Sequence, residues 1–286
     1  VPETGRALDL IWERLPAIAR DLVAGAGYPA HERNARFLAD PDDPREHETR
    51  WHQWGIITHS RMFERCYLEE VPRLLDEWGI AGAVASGLGQ TIDGAPRGDL
   101  LRLAIPLHDL GKFAVRQVRL ARGGRVATSF KFHEAESGRI IRRPALSRLL
   151  KEEIGLSPAR HDYVAECAAR HYELAHVRDA LKGDGAYDLA HVRTPRFGRL
   201  CLELMEKNAG YELEVGLLWL ADSLAKVGAR ITARTDDELA ARETEIRDLA
   251  ARLDPPRDLF DPVRQTAINT AAAEVYLKLW AACAAG

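Results

Sequence analysis

A chain of 286 residues, 46% hydrophobic and 29% charged, has the balance of a folded protein with a full core. Its apolar runs fall short of the roughly 20 residues that span a bilayer. A net charge of -3 provides no overall field to hold nucleic acid or anionic lipid, so an anionic substrate would need a local basic patch.

The stretch from Val1 mixes acidic and basic residues and lacks the order of a signal peptide, which predicts a cytoplasmic protein with no membrane partner. Leu8, Ile11, Trp12, Leu15, Ile18, Ala19, Leu22 and Val23 recur at helical spacing, up to a glycine and proline cluster at 25–29. Pro44 is expected to open a second long helix carrying Trp51, Trp54, Ile57 and His59 toward Tyr67, with Pro72 kinking or ending it. Six glycines and one proline between 79 and 98 predict a surface insertion. A helix resumes at Asp99 as DLLRLAIPLHDLGKF, and 117–130 holds two β-prone runs around a glycine turn, the one strand candidate.

Further helices are expected over 133–141 and 144–154, then from the cap pairs Ser157-Pro158 and Thr194-Pro195. Tyr211 to Val227 is strongly apolar, Thr235 with Glu238 reads as a capping box, and Pro262 begins an alanine-rich last helix. The fold class predicted is all-α, with at most a short hairpin. The segments read as an N-terminal helical extension (1–45), a core (46–232) and C-terminal helices packing on it (233–286).

The strongest chemical signal is the doublet His108-Asp109. Successive helical side chains point about 100° apart, so such a pair serves one ion only where a helix breaks, and Pro106 and Gly111 supply breakers on either side. An imidazole beside a carboxylate suits Mn, Fe, Co, Ni or Zn. The doublet's company is His59 upstream, then His133, His171 and Asp222. Asp222 stands in an apolar helix, where a carboxylate is costly to bury without a compensating cation or hydrogen bonds. His31, His47, His161 and His191 fall in polar or turn-rich segments and read as solvated, and His52 as an interior histidine on the His59 face.

The order H, HD, H, H, D, with HDLGK and an Ala-Asp pair in the last apolar helix, resembles the HD superfamily of metal-dependent phosphohydrolases over about residues 55–230. GGRVATSFKFHEAESGRII is similar to the stretch after the doublet in HD domains of the tRNA nucleotidyltransferase type and in CRISPR-associated HD nucleases. The resemblance implies an HD-type helical bundle in which His59, His108, Asp109 and Asp222 hold one ion. It implies a second ion on His133 and His171, with Asp109 bridging. Where many two-metal members carry a His-His pair, this chain has His171-Tyr172, with His176 as a substitute donor.

Function is therefore expected to be metal-dependent hydrolysis of phosphate esters, with one or two divalent transition metal ions activating water. The substrate expected is a phosphorylated small molecule or nucleotide, with a nucleic-acid end as a further candidate. Asp109 and Lys112 are the catalytic candidates, Lys112 acting on the phosphoryl group, and Arg139, Arg142 and Arg143 are candidate phosphate contacts. Cys66, Cys167, Cys201 and Cys283 form no CxxC pair and read as reduced, mostly buried thiols. Three alternatives share this ligand order: a di-iron oxygenase, a CRISPR-type nuclease, and a metal-binding regulatory module without catalysis.

Overall fold

The computed structural model describes residues 2–47, 52, 54–120, 126–179, 189–226 and 260–285. Over these residues the chain is all-α with two small antiparallel strand pairs. It forms two compact units, one made of 1–64 with 85–171, the other of 65–84 with 172–286. The N-terminal helices thus share a unit with the doublet, and the chain returns to each unit instead of filling them consecutively. Among the described residues no helix is long and apolar enough to cross a membrane.

In the first unit, α1 (Pro2–Gly25) buries Leu8, Ile11, Trp12, Leu15, Ala19 and Val23 as a single stripe. A short α2 (Glu32–Ala39) follows, with the exposed His31 accepting the Arg33 N–H at 3.1 Å as its cap. The helix does not open at Pro44: among the described residues 41–47 are turns and bends, and α3 (Ile56–Glu77) starts later. Its cap comes from a distant segment, because Asp42 Oδ1 accepts from the Ile57 and Thr58 N–H groups at 2.7 and 3.0 Å and Oδ2 from the Thr58 hydroxyl at 2.6 Å. Trp51, which that reading also placed on a helix, lies outside the described residues. Nor does Pro72 end α3, whose residues from Arg65 on belong to the second unit and which runs on to Glu77 with Val71, Leu74 and Leu75 buried around the proline. Tertiary burial there outweighs the loss of one backbone hydrogen bond.

The glycine-rich stretch is ordered. It forms α4 (Ala81–Gly89) and a two-residue ladder, β1 (Thr91–Ile92) with β2 (Ala95–Pro96). Asp93 and Gly94 turn it with φ of 49° and 82°, the Asp-Gly signature of a tight hairpin. The Arg160 guanidinium donates to the carbonyls of Ile92, at 3.2 Å, and Asp93. After α5 (Arg97–Ala104) and α6 (Lys112–Val115), β3 (Gln117–Leu120) pairs with β4 (Val126–Ser129) where the hairpin was expected.

The unit closes with α7 (His133–Arg142), α8 (Pro144–Arg148), a π-helical turn over Leu149–Glu153, and α9 (Pro158–Arg170) capped by the Ser157 hydroxyl. α7 and α9 cross closely at Gly138, where a β-carbon would lie 2.8 Å from that of Ala169.

The second unit contains α10 (Glu173–Asp179), α11 (Pro195–Lys207, capped by Thr194), α12 (Glu212–Ala225) and α13 (Phe260–Ala284). Every residue of α12 from Leu213 to Ala225 is buried, so the helix is enclosed on all sides, Glu214, Asp222 and Ser223 included. It packs on α13, with Gly216 leaving room for Leu277 and Ser223 joined to Asn269 at 3.1 Å. The expected capping box at Thr235 and Glu238 lies outside the described residues.

Candidate metal centre

The first unit breaks its helix at the doublet. α5 ends at Ala104, Pro106 sits in a 3-10 turn over Ile105–Leu107, and α6 begins only at Lys112. His108 and Asp109 therefore lie between helices, and the His108 Nε2 comes to 3.2 Å from Asp109 Oδ2. Gly111 is required for the same break, since a β-carbon there would meet the His133 carbonyl oxygen at 2.0 Å. The Ser137 hydroxyl ties these parts together: it accepts from the Gly111 N–H and donates to the His133 carbonyl, both at 2.8 Å.

Four imidazoles surround Asp109, two to each oxygen. His108 and His59 present Nε2 to Oδ2 at 3.2 and 3.9 Å, and His133 and His171 present theirs to Oδ1 at 3.3 and 3.7 Å. The groups His59, His108, Asp109 and Asp109, His133, His171 can each hold a metal ion, and all of these residues are buried. Ligands about 2.1 Å from a common ion stand about 3.0–3.4 Å apart, so the two closer histidines already have ligand spacing and the two farther ones need to move by only about half an ångström.

The histidines are also oriented for ligation. His108, His133 and His171 place Nδ1 at 2.6, 2.8 and 2.7 Å from the carbonyls of Ile105, Phe130 and Ala168, each three residues upstream. A carbonyl only accepts, so each Nδ1 carries a proton, and Nε2 is the nitrogen turned toward Asp109. Imidazoles that bind metals are held in this way by a partner on the other nitrogen. Both Asp109 oxygens are shut off from water. Burial works against the charge on Asp109, but His108 and Lys112 outweigh it and hold the carboxyl well below the usual range.

Lys112 is buried, with Nζ 2.8 Å from Asp109 Oδ2 and 2.9 Å from His47 Nε2. The sequence places this lysine on the substrate; the structure sets it against the carboxylate at the centre of the cluster. His47, expected to be solvated, is fully buried. Its Nδ1 lies 2.9 Å from the Trp54 carbonyl and its ring stacks on His52 at 4.0 Å. Burial, reinforced by the charge on Lys112, pushes the His47 pKa well down, so its Nε2 accepts from the ammonium. His52 is interior as expected, edge-on to His59 at 4.6 Å, although it precedes α3 instead of lying on it. The signal that could have marked His47 is the run of histidines at 47, 52 and 59, three within thirteen residues. His161 is likewise buried, with Nε2 3.1 Å from the Ile141 carbonyl.

Asp222 is buried on α12 in the second unit with Lys226 Nζ 3.5 Å away, so a cation does stand beside it. His176 belongs to the same unit and is exposed, and Tyr172 packs edge-on against Trp219 at 5.3 Å. Arg139 and Arg143 pair with Glu136, and Arg142 with Glu166 at 2.7 Å and Asp162 at 3.4 Å. Their guanidinium groups are thus taken up by carboxylates of α7 and α9. Comparison with protein-family models, with curated proteins and with solved structures finds no match. Cys66, Cys167 and Cys201 are buried and Cys283 exposed, and burial pushes the Cys66 and Cys201 thiols up to about 12, which leaves both protonated at neutral pH.

Proposed function

We propose that the protein is an HD-type, metal-dependent hydrolase of phosphate esters, acting on a nucleotide or a nucleic-acid end. The supporting observation is the division of Asp109 between two histidine pairs, one facing each carboxylate oxygen. His59, His108 and Asp109 would hold one divalent transition metal ion, and His133, His171 and Asp109 a second. When bound, such ions supply Lewis acidity toward a phosphoryl oxygen and lower the pKa of a water toward neutrality.

The protein's own residues do the rest. Carbonyls at the bases of three histidines fix the ring orientations before any ligand arrives, which lowers the cost of ordering the site. Asp109 stays ionised and contributes a negative charge that imidazole ligands do not supply. Lys112 balances that charge and restrains the carboxylate through the relay from the Trp54 carbonyl by way of His47. Phe63, edge-on to His108 at 4.7 Å, and Phe130, edge-on to His47 at 5.8 Å, wall the cluster with apolar surface and strengthen its electrostatics.

The test is metal analysis of protein purified without chelator, followed by anaerobic assays of phosphate monoesters and diesters with Mn, Co or Ni. Turnover without oxygen supports the reading. Iron-dependent oxygen uptake with no ester hydrolysis would overturn it in favour of a di-iron oxygenase, and bound metal with neither activity would favour a regulatory module.

A further inference from the structure

Phe132 is the residue of the first unit that its fold explains least. It has φ 65° and ψ 21°, in the left-handed region that a bulky side chain rarely adopts. Such a conformation costs stability, and nothing recovers that cost through burial, because the ring is 72% exposed. A glycine would occupy the position without strain, and a polar residue would avoid presenting an aromatic ring to water.

The place of this ring is specific. Phe132 immediately precedes His133, and among the five clustered residues His133 is the most exposed, at 9% against 0–1% for His59, His108, Asp109 and His171. His133 is thus the residue of the cluster with the largest share of its surface open to solvent. The residue on the other side of Phe132 is Lys131, exposed and cationic, whereas Phe130 turns inward and is buried. An exposed aromatic ring and an exposed cation thus directly precede, in the chain, the most exposed residue of a cluster suited to phosphoryl chemistry.

We propose that Phe132 is a stacking platform for the base of a nucleotide substrate, with Lys131 beside it for phosphate charge. The inference rests on the phosphohydrolase reading and narrows its substrate class to esters that carry a planar base. Stacking accounts for an exposed ring held at a conformational cost, since any base offers a π-face and the ring must stand clear of the core to receive it.

The experiment is equilibrium binding to the Mn-loaded full chain of two probes, adenosine 5′-monophosphate and ribose 5-phosphate, which share the phosphate and sugar and differ in the base. Wild type is expected to prefer the nucleotide by about tenfold or more. Phe132→Gly should lose that preference, leave ribose 5-phosphate affinity unchanged, and melt no lower than wild type, while Phe132→Trp should keep the preference. A wild type without preference, or a Phe132→Gly variant that retains it, would overturn the platform, and so would a drop in melting temperature in Phe132→Gly, which would mark the ring as structural. The outcomes separate from those of the parent reading: ester hydrolysis without base preference removes the platform alone, and base-dependent binding without hydrolysis removes the hydrolase alone.

Discussion

Gly111 and His133 approach so closely that a β-carbon on residue 111 would lie 2.0 Å from the His133 carbonyl oxygen. That oxygen belongs to the backbone of α7 and also accepts from Ser137, so it has little freedom to retreat. Gly111→Ala is expected to destabilise the protein by about 2–3 kcal/mol, through overpacking and loss of the Ser137 bridge. Urea unfolding checks the stability, and metal titration should show weakened binding because His133 is displaced. A variant with wild-type stability would mean that the two segments part easily.

Asp109 faces both histidine pairs, so its loss should not resemble the loss of a histidine. Asp109→Asn is expected to abolish metal binding altogether, whereas His171→Gln should weaken one ion by about 10-fold to 100-fold or more and spare the other. Isothermal titration with Co or Mn distinguishes the two. Equal losses in both variants would show that the groups do not share the carboxylate.

Lys112 contacts Asp109 and His47 in the interior, which makes it part of the charge balance of the metal-free protein. Lys112→Met leaves Asp109 buried without its ammonium partner and should cost about 3–5 kcal/mol in metal-free protein. Metal should then raise the melting temperature of the variant more than that of wild type, because the ion takes over the neutralisation. Identical metal-induced shifts would contradict this role.

Burial depresses the pKa values of His47 and His161, so each is held neutral in the folded state. The sign follows from linkage: the unfolded chain binds protons that the folded one refuses, so stability is full above the ordinary histidine value of about 6.5 and falls as pH drops below it. In chelator-treated protein the unfolding free energy should decline by up to about 1.4 kcal/mol per pH unit for each such histidine. His161→Gln should have a shallower slope, measured by urea unfolding between pH 7 and 5. An unchanged slope would show that His161 titrates normally.

The residue pattern alone determined the helical class and the local punctuation. Apolar spacing marked α1, and Ser157 and Thr194 cap the helices they were expected to cap, because a cap needs only its own next few residues. Pro106 and Gly111 likewise mark the break that sets His108 beside Asp109, since backbone restriction is a local property. Only the tertiary structure decided where α3 begins, because its capping carboxylate, Asp42, arrives from fourteen residues away. His47 and Arg142 illustrate the same limit. Both lie in polar stretches, yet one is buried on Lys112 and the other is spent on Glu166 and Asp162, and a polar group's partner is set by the packing of distant segments, which periodicity does not report. The division of four histidines between the two oxygens of Asp109 belongs to that second class, for it depends on α3, α7 and α9 converging on one turn.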